Sequence, residues 1–391
     1  MMVMDVSKYA RRELLQLGER PATRAPLPKM ENIINLGAGD PDFNQPRIVM
    51  EKVVEAMEKG YTHYMFEGLP EFKRAVAEYY SKYGVKIDPD TQVIPTSGGG
   101  PAIFHILAAL INPGDEVIIF DPAYQGYLNP IRYFGGVIVR AKMKKDEKGY
   151  FRPDIENLKN VITEKTKLLI ICNPDNPTGC VFNEEELNRI AELSKKHDFL
   201  ILSDEIYNEF IWGDRNHIAI MGLEGMMERT IVAMSFSKMF AWTGCRLGYI
   251  IASPEMANLI SRVPLGISPA PVPFQYAGAY LLREGWEFNK MMRREYEKRI
   301  DYCVKRLNEI PGIRCVYPEA TFYLFPEISE TKLNSVEYAK RLMAEEGVRV
   351  VAGSTFGSMG EGHVRLALVV PMEKLVEAMD RIEKFHKKIM K

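Results

Sequence analysis

The sequence predicts an α/β protein: a mostly parallel, seven-stranded sheet flanked by helices, joined to a smaller α+β domain formed by the C-terminal residues and the N-terminal arm. Two patterns predict it. Between about 91 and 253, short apolar runs alternate with helical segments. Runs that are apolar on both faces belong in a parallel sheet covered by helices on both sides. From 284 onward, charged helical stretches mix with short strands, the pattern of an α+β unit. The expected divisions are 1–45 (the arm and part of the small domain), 46–283 (the large domain) and 284–391 (the small domain). A chain of 391 residues is long enough for such an arrangement and a large core.

Taken in order, residues 1–30 read as an arm with a short helix, ending in the Pro-rich piece 21–28. A strand-like run at 32–36 leads into the Gly/Pro turn 37–42. Helices follow at 47–59 and 70–83, closed by Gly60 and Gly84. The seven apolar runs are 92–96, 116–120, 136–141, 167–172, 199–203, 230–234 and 247–252. Helices at 101–111 and 183–197 lie among them, the second opening with Asn183 and, three residues on, Glu186, a capping-box pattern. No obvious helix joins the runs at 230–234 and 247–252, so that pair can be antiparallel. The last third reads as a helix over 284–310, strands at 315–317 and 321–325, a helix at 334–346, strands at 348–351 and 363–368, and a helix at 372–390.

Composition excludes several classes. A formal net charge of −1 offers no basic surplus for nucleic acid or an anionic membrane surface. No apolar run approaches a membrane span, and residues 1–15 lack the apolar core of a signal peptide. Five cysteines with no CxxC pair fit free thiols in a reducing cytoplasm. Six scattered histidines show no ligand spacing, so no metal site is expected. The turn 37–42 lacks the third glycine of a dinucleotide fingerprint.

Ligands of parallel α/β sheets bind at the carboxyl ends of the strands. After the 92–96 run come Ser97, Gly98, Gly99 and Gly100 ahead of a helix, a cradle of exposed N–H groups that suits phosphate, though a flexible turn would look the same. Tyr124 follows the second run. Asn176 follows the 167–172 run in a Pro-rich loop. Asp204 ends the 199–203 run, with Tyr207 three residues on, and an acid in that place wants a cationic partner. After 230–234 comes the stretch 235–248, with Ser235, Lys238 and Arg246. A lysine beside buried strands shifts its pKa readily and can serve as a Schiff-base amine, yet a solvated loop would carry the same residues. Singly each feature has a bland explanation. Jointly they match pyridoxal phosphate, with its phosphate, flat ring, phenolic oxygen, pyridine nitrogen and aldehyde.

In these motifs, SFSK followed by GCRLG and NPDNPTG, the chain closely resembles the class I/II aminotransferases of pyridoxal-phosphate fold type I, over about 30–385. The resemblance implies that Lys238 carries the cofactor and shuttles the proton. It implies that Ser235, Arg246 and the N–H groups of Gly98, Gly99 and Gly100 hold the phosphate. Asp204 would keep the ring nitrogen protonated, Tyr207 and Asn176 would bond the phenolic oxygen, and Tyr124 would stack on the ring. Tyr64 resembles the tyrosine that reaches the phosphate of a neighbouring subunit, implying a homodimer with shared active sites. Arg365 resembles the arginine that clamps the substrate α-carboxylate, with Gly39 adding a backbone contact. The implied substrates are an L-amino acid and a 2-oxo acid such as 2-oxoglutarate, in ping-pong order.

Three positions depart from the family pattern. Trp242 and Cys245 stand where many relatives carry a smaller residue and a tryptophan, and Asp175 adds a negative charge beside Asn176. Gly100 and Pro101 offer no lysine for a distal carboxylate, and 268–275 holds no obvious replacement, so neutral or aromatic donors come into view beside aspartate. The rival readings keep the scaffold: a β-lyase, a cyclopropane-forming synthase or a non-catalytic regulator. A nicotinamide enzyme fails on the missing fingerprint.

Overall fold

A computed structural model describes residues 10–17, 32–263 and 270–391. Most of the arm and the first part of 268–275 lie outside the described residues. The described piece of the arm holds the helix Arg12–Gln16.

The first strand, β1 (Ile34–Asn35), stands apart from the main sheet. The next eight are β2 (Val93–Thr96), β3 (Glu116–Asp121), β4 (Val137–Lys145), β5 (Phe151–Pro153), β6 (Thr166–Cys172), β7 (Leu200–Asp204), β8 (Thr230–Ser235) and β9 (Gly248–Ile251). They form one sheet in the order β2-β9-β8-β7-β6-β3-β4-β5. Neighbours among β3, β4, β6, β7 and β8 pair in parallel. β9 is antiparallel to both β8 and β2, as expected for the first pair; the connection from β8 holds only the single-turn helix Phe236–Met239, too short for a parallel crossover. All seven expected runs are strands of this sheet. The eighth, β5, is a three-residue edge strand folded back on β4 after the turn at Gly149, too short to register as an apolar run.

Residues alternate along each strand, so the two faces bury different sets. Val117 and Ile119 of β3 face the helix Gly99–Leu110 through Ile106 and Leu107. Ile118 and Phe120 face the helix Glu184–His197 through Leu187 and Ile190. That second helix opens with the expected capping box: Asn183 Oδ1 accepts from Glu186 N at 2.9 Å, and Glu186 Oε2 accepts from Asn183 N at 2.8 Å.

Beyond the sheet, the helix expected over 284–310 is present as Trp286–Asn308; a further helix, Val272–Glu284, not among those expected from the sequence, precedes it and ends at Gly285. The remaining strands are β10 (Tyr323–Leu324), β11 (Val348–Arg349), β12 (Val351–Ala352) and β13 (Val364–Ala367). β1 pairs with β11 in parallel, and β13 lies antiparallel between β10 and β12. The single strand expected at 348–351 is therefore two, each serving a different sheet. Residues 315–317 form no strand; only the isolated bridge Arg314–Glu327 marks the neighbourhood. Ala367 N donates to Leu36 O at 2.7 Å. That bond lays the segment after β1 alongside β13, and so brings residues 37–43 to Arg365. Among the described residues, no helix is long and apolar enough to cross a membrane.

Candidate active site

The sheet's register builds one side of the site. Asp204, the last residue of β7, sits between Cys172 of β6 and Ala233 of β8. The chain leaving β6 carries Asn176, the chain leaving β7 carries Tyr207, and the chain leaving β8 carries Lys238. Parallel pairing thus delivers three successive loops to one rim.

Asp204 is 2% exposed. Its Oδ2 accepts from Tyr127 Oη at 2.5 Å and its Oδ1 from Ile206 N at 3.3 Å. Burial nevertheless pushes its pKa up to about 6, against the pull of those bonds, and neighbouring Glu205 adds to the rise. Glu205 is itself fully buried and accepts from Ser203 Oγ at 2.8 Å and Tyr80 Oη at 2.7 Å. A carboxylate so placed would gain from a protonated ring nitrogen set against it.

Lys238 lies on the single-turn helix Phe236–Met239, whose N-cap is Ser235, with Ser237 N donating to Ser235 Oγ at 3.1 Å. The residue is only partly covered, but its amine end is desolvated and donates to the carbonyl of Gly39. Burial pulls its pKa down to about 8; Asp40 works against the drop, while Arg365 and Arg246 reinforce it. Such an amine yields a substantial neutral fraction near pH 8, far below the usual lysine range, as a carbonyl-capturing nucleophile requires.

The glycine cradle lies next to the same helix. Gly98 has φ +101°, which favours glycine, and a Cβ there would sit 2.7 Å from Arg246 Nη2, so the guanidinium lies directly against this backbone. A Cβ on Gly99 would meet the Ser235 Cβ at 3.2 Å. Gly98, Gly99, Ser235 and Arg246 are therefore neighbours. The helix begins at Gly99, two residues before the expected Pro101, which puts Gly99 and the exposed Gly100 in its first turn, where N–H groups point outward. Arg246, exposed and at φ +53°, is steadied by Thr243 O at 2.6 Å.

The other side of the site comes from the small sheets. Arg365 on β13 is 4% exposed. Its Nη1 donates to Asn176 Oδ1 at 2.9 Å and its Nη2 to Gly37 O at 2.8 Å, while its buried Nε has no partner. Among the described residues no carboxylate pairs with it. A buried guanidinium without an anion is costly and calls for one. Asn176 Nδ2 in turn lies 3.5 Å from Tyr207 Oη, which is 2.9 Å from Tyr323 Oη.

The structure thus gathers Gly39, Gly98, Gly99, Gly100, Asn176, Asp204, Tyr207, Ser235, Lys238, Arg246 and Arg365. Tyr124 stands beside them, edge-on to Tyr127 with ring centroids 5.4 Å apart. Tyr64 does not join this chain's own cluster: it is 82% exposed and stacked on Phe66. Tyr127 and Tyr323 were missed from the sequence. The only signal for Tyr127 was a second aromatic three residues after Tyr124.

Two departures from the family pattern face away from the rim. Asp175 is buried and turned into its own loop, its Oδ2 accepting from Thr178 N at 3.1 Å and Thr178 Oγ1 at 2.5 Å. Burial lifts its pKa to about 7. Trp242 is core, packed edge-on against Phe274 at 5.5 Å. Cys245 is partly covered, and burial raises its thiol.

The site thus brings together a desolvated amine, a buried acid, an N–H cradle and a guanidinium with no carboxylate partner among the described residues. Residues 31–382 match the family model "Aminotransferase class I and II", and the chain belongs to that family. It is 41% identical over 360 residues to the aspartate aminotransferase of Pyrococcus abyssi, covering 91% of this chain and 92% of the relative. It is equally identical, over the same shares, to aromatic-amino-acid aminotransferase 2 of Thermococcus litoralis. The crystal structure of an aromatic aminotransferase from Pyrococcus horikoshii superposes with a TM-score of 0.88 at 38% identity, over 92% of this chain and 97% of that one. The protein is an aminotransferase.

Proposed function

We propose that the enzyme uses pyridoxal phosphate to move the amino group of an L-amino acid to a 2-oxo acid, with 2-oxoglutarate as acceptor and ping-pong kinetics. One observation carries this reading: the desolvated Lys238 amine and the buried Arg365 guanidinium, which has no carboxylate partner among the described residues, share a site with the buried carboxyl of Asp204. An aldehyde, an α-carboxylate and a protonated ring nitrogen would complement all three.

When bound, the cofactor supplies an electron sink for the bond broken at the substrate Cα. Gly98, Gly99, Gly100, Ser235 and Arg246 would hold its phosphate, and Tyr124 would cover its ring. Asp204 would keep a proton on the ring nitrogen, since the carboxylate gains a partner in doing so. Tyr207 and Asn176 would bond the phenolic oxygen. Arg365 fixes the α-carboxylate, its planar fork setting which bond at Cα faces Lys238. The Lys238 amine would serve as the base that takes the Cα proton and gives it back to the former aldehyde carbon, across the nitrogen that links the two.

We read residues 46–283 as the cofactor-holding domain, and 284–391 with 1–45 as the smaller one. Tyr64, exposed beside Phe66, suits a role at the phosphate of a neighbouring subunit in a cytoplasmic homodimer. The lack of a basic group at Gly100 and Pro101 favours neutral or aromatic donors alongside aspartate. A panel of amino donors with 2-oxoglutarate, read by oxo-acid formation, tests the whole reading. The expected result is acceptor-dependent turnover with phenylalanine or alanine as well as aspartate. Turnover without any 2-oxo acid would point to a lyase, and strict preference for aspartate would overturn the donor assignment.

A further inference from the structure

Tyr323 has no role in the chemistry set out above, yet it touches three of the residues that do. It is 2% exposed on β10, paired across the small sheet with Ala367, two residues beyond Arg365. Its Oη lies 2.9 Å from Tyr207 Oη. The Arg365 guanidinium lies 4.3 Å from its ring centroid, within the range of a cation on an aromatic face. Its Oη also fills the space beside Gly39, where a Cβ would come within 1.9 Å of that oxygen. Gly39 is not among the residues with positive φ. The backbone therefore does not require glycine at 39; the phenol does. Tyrosine at 323 and any side chain at 39 exclude each other.

We propose that Tyr323 is a positioning residue of the transamination site, and that Gly39 and Tyr323 form a matched pair that sets the seat of the substrate α-carboxylate. The inference rests on the assignment of Arg365 as the carboxylate clamp. The ring fixes the plane of the guanidinium, whose Nη1 and Nη2 are already committed to Asn176 and Gly37. The hydroxyl acts on Tyr207. With Tyr207 donating to the ring oxygen, Tyr323 Oη is placed to donate to Tyr207 Oη, and that bond would strengthen Tyr207 as a donor, since linked hydrogen bonds polarise one another. One residue thereby couples the carboxylate seat to the cofactor side of the site.

The test uses the full-length enzyme loaded with pyridoxal phosphate and three variants: Tyr323→Phe, Gly39→Ala and the double variant. Gly39→Ala should raise KM for amino donor and 2-oxo acid by roughly tenfold or more, because the new methyl displaces the phenol and with it Arg365. The double variant should recover a large part of that loss, since removing the hydroxyl removes the closest clash. Tyr323→Phe alone should raise KM by roughly fivefold, the effect of one neutral hydrogen bond in a buried site. It should also move the pH midpoint of the visible absorbance of the Lys238-bound cofactor upward, because a weaker Tyr207 donor leaves more charge on the adjacent ring oxygen. A double variant no better than Gly39→Ala would overturn the pairing. An unmoved midpoint in Tyr323→Phe would overturn the link to Tyr207, and it decides the matter if Gly39→Ala does not fold. A wild-type enzyme with no cofactor absorbance and no acceptor-dependent turnover would instead sink the functional reading beneath both.

Discussion

The two sides of the site are built differently. The rim that carries Asn176, Asp204, Tyr207 and Lys238 hangs from the ends of three adjacent parallel strands, where a ladder of backbone bonds fixes every position. The clamp that carries Arg365 hangs from strands of two to four residues, and side-chain contacts hold it: Asn176, the Gly37 carbonyl and the Tyr323 ring. The segment 37–43 is likewise fastened by side chains. Arg299 Nη1 and Nη2 donate to the two oxygens of Asp42 at 2.8 and 3.0 Å, Arg299 Nη1 also reaches Leu368 O at 3.0 Å, and Thr243 Oγ1 reaches Asp40 at 2.7 Å. A rim held by backbone should lose chemistry, not shape, when a side chain changes. A clamp held by side chains should lose binding.

Lys238→Ala gives the largest effect. It would remove both the proposed covalent anchor and the proposed base, and turnover should fall by at least ~10⁴-fold. The melting temperature and circular dichroism should stay near those of the parent, because β8 and its ladder do not depend on that side chain. Residual turnover above ~1% would break the assignment of the rim. In the parent, cofactor uptake by the cofactor-free protein should speed up as pH rises through about 8, where Lys238 becomes neutral.

Arg365→Lys comes next and tests the clamp. A lysine keeps the charge but cannot offer the planar fork, nor the three bonding directions that Asn176 and Gly37 now share with the incoming carboxylate. KM for both substrates should rise by ~10²-fold, a loss of about 2–3 kcal/mol, as for a charge-assisted bond. The absorbance of the bound cofactor should be unchanged. A fall in kcat with unchanged KM would show that the two sides are not separable.

Asp204→Asn separates the sides through stability. In the cofactor-free protein the folded carboxyl holds its proton to about pH 6, whereas the ordinary value is 3.8. The folded state therefore binds more protons between those limits, and stability falls as pH rises from about 4 to about 6 and stays lowered above. A pKa difference of that size corresponds to ~3 kcal/mol. The cofactor-free Asp204→Asn variant should thus melt a few degrees higher than the parent at pH 7.5 and at the same temperature at pH 4, while its turnover is lost. Equal melting at pH 7.5 would mean that Asp204 is not strained before its partner arrives.

The same contrast explains what could be read from the sequence. The rim was legible because a strand end is a local feature: an apolar run stops, and the next few residues are the site. The clamp was not. Tyr323 meets Tyr207 across 116 positions, and Tyr127 meets Asp204 across 77. Neither pairing has a local signature, and Arg365 itself rested on family resemblance. The fold failed to read where segments were short or broken. β5 has three residues, the helix Val272–Glu284 is set off from the expected one only by Gly285, and the Gly-Gly start of Gly99–Leu110 has low helix propensity until Gly98 turns the chain into it.

Asp175 shows that nearness in sequence is not membership of the site, and it carries the smallest expected effect. It stands next to Asn176, and from the sequence its charge invited a role in substrate choice. Both hydrogen bonds from Thr178 fall on a single oxygen, Oδ2, so an amide oxygen can accept both. Burial raises the carboxyl's pKa to about 7, so near neutral pH a good part of it is already uncharged. Asp175→Asn should therefore leave the order of amino donors unchanged and alter kcat/KM by less than about twofold, within the ±0.5 kcal/mol of a substitution that disturbs no packing. Donor profiles of the two proteins, measured side by side at pH 7.5, decide it. A reordered profile would place Asp175's charge in the substrate's field and shift the boundary of the rim by one residue.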